Sequence, residues 1–317
     1  MNIKSLFLAI LIVVAKQPYA GNLYKLSNES LKINRCDLVE TGNTLDLALS
    51  NDGYFVVSQG KKNRELFFTR FGQLFLDMDG YMRTSRGDYL LGINKKSDPN
   101  KLSKLKISTN HLPPKATTKV NLVVNLPAIA SDGDYVQTNG TLYDSISASH
   151  VLTIKYTKIN FQTWDAQVFV DDIKLNKGKL IFKPSGELSN QEGLSHNQWP
   201  TNYGLNDLNI DHSSSTAYAS SFYVQSISHN GYSLGALVAL TIDQNGGIFL
   251  MYDNGQHKEL KNHIAVAKFT NPNYLEFVTN HLYRPTAKSG PQRLHRMNSQ
   301  YAVLSGVLEQ EPCVTNK

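Results

Sequence analysis

Short apolar runs cut by glycine-bearing turns constrain this chain more than any other feature. Tyr54-Phe55-Val56-Val57 follows the turn Asn51-Asp52-Gly53. Phe67-Phe68-Thr69-Arg70-Phe71 and Leu74-Phe75-Leu76 come next, closed by Asp77-Met78-Asp79-Gly80. Runs of this length, separated by Asp-Gly and Asn-Gly turns, are the signature of strands joined by tight reversals. Leu45, Leu47 and Leu49 alternate with Asp46, Ala48 and Ser50, the period of a strand with one buried face. Similar signals recur at 141–144, 151–156, 164–170, 179–182, 221–227, 236–242, 248–252 and 264–269. Helical periodicity is weak after the first twenty residues. The fold class expected is all-β.

The start of the chain is different. Lys4 precedes an unbroken apolar run at 6–14, LFLAILIVV. That run is too short to span a bilayer as a mature helix and has the form of a secretory signal. Residues 1–20 are expected to be a signal peptide, cut after Ala20 or after Ala15. Cys36 follows Ile33-Asn34-Arg35, which is not a lipobox, so a lipid anchor is not implied. The expected location is the periplasm, peripheral to a membrane at most. Cys36 and Cys313 are the two cysteines, and they bracket nearly the whole mature chain. In an oxidising compartment an even pair suggests one disulfide, with two unrelated thiols as the alternative.

Residues 93–112 form a basic, polar connection ending at Pro113-Pro114, after which a new set of strands begins. A polar run at 189–215 ends that set. The simplest topology is discontinuous: a domain at 113–212 inserted into another made of 36–112 and 213–313. A domain split in this way brings its two ends together, which favours Cys36 meeting Cys313.

Taken together, residues 41–92 resemble the shared segment of bacterial flagellar rod and hook proteins. The likeness continues through Pro114-Lys115-Ala116-Thr117-Thr118, Tyr143-Asp144 and Trp164. It goes on through Leu180-Ile181-Phe182 and Ser185-Gly186-Glu187-Leu188, which resemble the closing strand pair of the hook protein's second domain. Asn230-Gly231-Tyr232-Ser233-Leu234-Gly235, Asp243-Gln244-Asn245-Gly246-Gly247 and Leu304-Ser305-Gly306-Val307 are similar to the return segment and its end. Each motif alone is a turn and two strands. Their number and order, over about 37–310, carry the resemblance. It implies two β domains, the second inserted into the first, as in flagellar hook protein. Gly53, Gly80, Gly231 and Gly246 are expected at positive φ or at tight strand reversals.

Hook and rod proteins begin and end with helices that pair into a coiled coil. This sequence reads as a hook-like body without those terminal helices and with a cleavable signal in front. A Cys36–Cys313 disulfide would lie near where the chain ends leave the globular part. The expected function is a non-enzymatic structural subunit of a periplasmic or outer-membrane-associated envelope assembly, such as a secretion-system core. The expected partners are other protein subunits in a symmetric oligomer. An atypical flagellar rod or hook component is the second reading, and an envelope glycan-binding protein the third.

Chemical motifs are sparse. The nine histidines fall in no metal-protease or zinc pattern, and His257 and His263 flank a turn. No glycine-flanked nucleophilic serine is present. Asp77-Met78-Asp79-Gly80 lacks the spacing of a calcium loop. Asp171-Asp172 reads as a turn rather than a carboxylate pair, since adjacent strand residues face opposite ways. No catalytic residue, cofactor or metal site is expected. The formal charge is +6, and Lys95, Lys96, Lys101, Lys104 and Lys106 read as a solvated face, not a nucleic-acid surface. Trp199, beside Pro200 in the polar run, is the candidate for an exposed contact with another protein.

Overall fold

A computed structural model of the chain describes residues 37–50, 52–60, 65–94, 96, 101–199, 207–279, 281–295 and 302–310. The expected signal peptide, Cys36 and Cys313 lie outside these residues. Strands dominate, and the single helical turn among the described residues is a 3₁₀ turn at Pro272–Tyr274. No described helix is long and apolar enough to cross a membrane, which says nothing about a β-barrel.

The chain divides into a split domain, Met1–Asn110 with Leu237–Lys317, and an inserted domain, His111–Ala236. The return to the split domain therefore falls at 237, not at the expected 213. The reason is one strand. Tyr223–His229 pairs antiparallel with Lys119–Asn125 inside the inserted domain, although its sequence signal alone could join either sheet.

Two sheets make the inserted domain. Tyr135–Tyr143, Ser149–Asn160, Thr163–Val170, Ile173–Phe182 and Leu188–Glu192 form a five-stranded antiparallel meander in chain order. The second sheet runs Asn197–Gln198, Asp207–Asp211, Lys119–Asn125, Tyr223–His229, with Asp207–Asp211 parallel to Lys119–Asn125. Strict alternation along Ser149–Asn160 turns Leu152, Ile154 and Tyr156 inward. They join Leu122, Val124, Trp164, Val168, Leu180 and Phe182 in one continuous core. The chain enters and leaves through two bridges, Leu112 to Gly235 and Lys115 to Tyr232.

In the split domain the largest sheet runs from Glu276–Thr279 through Leu282–Arg284, Phe67–Thr69, Tyr54–Ser58, Tyr89–Asn94 and Met82–Thr84 to Leu74–Leu76. Val56, Phe68, Leu91, Ile93, Ala265 and Ala267 form a core beneath it. Leu47–Leu49 departs from the expected alternation: Leu47, Ala48 and Leu49 are all buried, and so is Asp46. This strand pairs edge to edge with Val303–Ser305 of the returning chain, and both of its faces are buried.

The turns follow the chemistry of their aspartates. Asp77 Oδ1 accepts from the N–H of Asp79 and Tyr81, Asp144 Oδ1 from Ile146 and Ala148, and Asp243 Oδ1 from Asn245 and Gly247. A short carboxylate mimicking a backbone carbonyl fixes each reversal. Gly80 has φ +82°, and a Cβ there would also strike the Ile107 carbonyl. Gly231 is not at positive φ; it is required because a Cβ would collide with Thr117.

Candidate assembly surfaces and the chain-end clamp

The most elaborate polar arrangement in the split domain ties the two ends of the described chain together. Leu38–Glu40 pairs antiparallel with Val307–Glu309. At the end of this ladder the Gln310 N–H donates to Asp37 O at 2.8 Å, and the Thr41 N–H donates to Gly306 O at 2.8 Å. Further in, Ser50 N–H bonds Ala302 O at 2.9 Å and Ser305 Oγ bonds Thr44 O at 2.8 Å.

Arg70 locks the pair from the side. Its Nη1 donates to Gly53 O at 2.6 Å and its Nη2 to Leu49 O at 3.3 Å. Nε donates to Glu309 Oε2 at 3.1 Å, and Nη2 also meets Glu309 Oε1. The fork of a guanidinium on a carboxylate is among the stronger charge-assisted contacts, and here the Glu309 side chain is only 7% exposed. Residues 239 apart in sequence are thereby held in one register. In sequence, Cys36 precedes Asp37 and Cys313 follows Gln310 by three residues.

Trp199 does not stand in solvent. It is buried, and its indole N–H donates to Thr117 O at 3.2 Å. Its ring meets the edge of His150 at a centroid distance of 5.5 Å. The polar sequence around it suggested exposure, but the indole fills the base of the inserted domain's core. The expectation of a Trp199 interface is thus corrected.

His150 is also buried, with Nδ1 2.6 Å from Asp171 Oδ2 and Nε2 3.5 Å from Asp144 Oδ2. Asp171 and Asp172 form the hairpin turn read from sequence, at φ +49° and +66°. Asp171 Oδ1 accepts from Val151 N–H at 2.8 Å, so the carboxylate ties its turn to the strand Ser149–Asn160. The second buried histidine, His212, bonds the Tyr156 hydroxyl through Nε2 at 2.7 Å. Desolvation by burial lowers its pKa to about 4, with a smaller opposing pull from Asp211. The same burial pushes the Tyr156 phenol well above its usual range.

Both histidines are engaged within the fold, His150 with Asp171 and His212 with Tyr156. Among the described residues no group of three His, Cys, Asp or Glu is placed to hold a metal. A polar cleft of about 240 Å³, lined by Lys119, Asn121, Gln191, Asn209 and Asp211, is small beside ordinary ligand sites of roughly 300–1,000 Å³. His263 is committed to Glu259 at 3.0 Å. The basic cluster is partly absorbed as well: Lys104 Nζ donates to Gly60 O and lies 4.3 Å from the centre of the Tyr89 ring.

What the structure offers to partners is exposed apolar surface on strands and turns. In the split domain Leu38, Val39, Tyr274 and Phe277 are exposed. In the inserted domain Ile129, Ile146 and Phe161 are exposed at turns, and Tyr223, Val224 and Ile227 along one strand.

Comparison with known proteins agrees with this architecture. A family model described as the flagellar basal body protein FlaE D2 domain matches residues 115–232, nearly the whole inserted domain. The flagellar hook protein FlgE of Brucella suis biovar 1 is 28% identical over 284 residues, covering 85% of this chain and 70% of that protein. The chain is similar to flagellar hook proteins through both of its domains. The FlgE of Escherichia coli K12 is 25% identical, over 79% of this hook-like chain and 68% of its own length. The crystal structure of Helicobacter pylori flagellar hook protein FlgE2 superposes with a TM-score of 0.69 at 14% identity, covering 86% of this chain and all of that one, and so shows the shared fold.

The hook-like chain is a structural, non-enzymatic protein. The comparisons favour the flagellar hook over a secretion-system core or a glycan-binding protein, which reverses the order of readings drawn from the sequence.

Proposed function

We propose that this chain is a structural subunit of the flagellar rod–hook assembly, an atypical component that is exported from the cytoplasm and packs with other subunits of a symmetric oligomer. One observation carries the reading. The likeness to hook proteins runs through both domains, over 85% of the chain in the Brucella relative, rather than through a single borrowed module. The apolar run at 6–14 supports export by the general secretory route. Deletion of the gene in a flagellated host tests the proposal. Loss of swimming, with hooks absent or altered in electron micrographs, is expected. Full motility with normal hooks would overturn it.

The reading extends to the chain ends. We propose that Cys36 and Cys313 form a disulfide that closes the split domain beyond the Asp37–Gln310 hydrogen bond. The antiparallel pairing of Leu38–Glu40 with Val307–Glu309 brings the flanks of both cysteines together. In an oxidising compartment such a bridge would add roughly 2–4 kcal/mol by restricting the unfolded chain. Alkylation mass spectrometry of the mature protein should find both thiols protected until reductant is added. Labelling of both without reductant would refute the bridge.

A further inference from the structure

We infer that Lys158 is a carbamylation site: its buried amine takes up carbon dioxide, and Trp164 holds the carbamate that results. This goes beyond the subunit reading and does not depend on it.

Alternation puts this lysine where a core residue belongs. Along Ser149–Asn160 the inward positions are His150, Leu152, Ile154, Tyr156 and Lys158. A lysine near a strand end ordinarily carries its ammonium out to water. Lys158 is only 3% exposed. The segment that follows Leu126 holds it on three sides. Gly133 N–H donates to Lys158 O at 2.9 Å, and Lys158 N–H donates to Asp134 O at 2.9 Å. The amine reaches the same segment, with Nζ 2.8 Å from Ala128 O. Nζ also lies 5.3 Å from the centre of the Trp164 ring.

An ammonium has three N–H donors, and among the described residues one acceptor meets them, Ala128 O. Burial lowers the pKa of this lysine from its ordinary value, against a smaller opposing pull from Asp132. A desolvated lysine holds more of its neutral amine, which is the nucleophilic form.

The second observation lies across the ladder. Lys158 and Trp164 are direct partners in the antiparallel pairing of Ser149–Asn160 with Thr163–Val170. Trp164 is fully buried, and its indole N–H has no hydrogen-bond acceptor. Buried donors are normally satisfied, and one left unmet points to a missing partner. Two underused donors on neighbouring side chains call for an acceptor that joins them. A carbamate built on Nζ supplies one.

Carbon dioxide suits the site because it is small and uncharged, so it needs neither an open cleft nor a counter-ion to enter. The lone pair of the neutral amine attacks its carbon. The N–C bond forms as one C–O π bond breaks, which leaves the negative charge on oxygen. The nitrogen then gives one proton to water. The N–H that it keeps still donates to Ala128 O, and a carbamate oxygen accepts from Trp164 Nε1. Amine and carbon dioxide thus yield carbamate and one proton, with no oxidant or further reactant.

Carbon-13 NMR of the purified mature protein in labelled bicarbonate tests the site. A carbamate resonance is expected. Lys158→Met should abolish it. Trp164→Phe, which removes the donor and keeps a ring, should weaken it roughly fivefold. Lys155→Gln, on the opposite face of the same strand, should leave it unchanged. If Lys158→Met loses its cooperative thermal transition, the parent protein decides alone: trapping with triethyloxonium and peptide mapping should find the ethyl carbamate on Lys158. No resonance in the parent, a resonance that survives Lys158→Met or keeps full strength in Trp164→Phe, or trapped label on other lysines only overturns the proposal.

Discussion

The inserted domain closes on itself within one stretch of chain, whereas the split domain closes only when the chain returns. The first has long strands in sequential order and one continuous core under two sheets. The second gathers short strands from both ends and fixes them with a polar clamp at Arg70 and Glu309. Hydrophobic burial that is local in sequence needs little loop closure before contacts form. Pairing Leu38–Glu40 with Val307–Glu309 must first close almost the whole chain. The inserted domain is therefore built to stand alone and the split domain to depend on its ends.

Truncation breaks the comparison most directly. Residues 111–236 expressed alone should show a cooperative thermal transition. The chain stopped before Val303, which lacks Val303–Ser305 and Val307–Glu309, should keep that transition and lose the one belonging to the split domain. A truncated chain that retains both transitions would contradict the dependence on the ends.

Core truncation has the next largest effect. Trp164 is fully buried at the centre of the inserted domain. Trp164→Ala should destabilise that domain by about 3–5 kcal/mol in urea unfolding and leave the split domain's transition in place.

Acid separates the domains through His212. Its folded pKa of about 4 lies below the ordinary 6.5, so between those values the unfolded state binds the extra proton. Stability from keeping this imidazole neutral is complete above pH 6.5 and is lost as pH falls toward 4, by about 3 kcal/mol in all. Urea unfolding of the inserted domain at stepped pH should show this slope. His212→Gln should flatten it relative to the parent. An unchanged slope in the variant would assign acid sensitivity elsewhere.

The clamp gives the smallest of these effects. Arg70→Ala leaves the largely buried Glu309 without its fork and should cost the split domain about 2 kcal/mol, with no change in the inserted domain. Calorimetry that resolves the two transitions measures both at once.

The strands and turns were legible because their causes are local. Asp77, Asp144 and Asp243 each organise their own reversal, so a short window of sequence contains the whole signal. The return point was not. Tyr223–His229 has the same local pattern whichever sheet receives it, and its partner Lys119–Asn125 lies a hundred residues earlier. Burial of Trp199 was hidden for the same reason: Thr117 and His150, which receive the indole, are remote in sequence. Ala48 and Asp46 looked solvent-facing, but both are buried in the strand that pairs with the returning Val303–Ser305. The Arg70–Glu309 clamp joins residues that no periodicity connects. The discontinuous order of domains suggested only that the two ends would meet.

Affinity purification of the tagged protein from detergent-solubilised envelopes tests the flagellar reading most directly. The account predicts that rod, hook and basal-body proteins come with it. Recovery of secretion-system outer-membrane components in their place would contradict it.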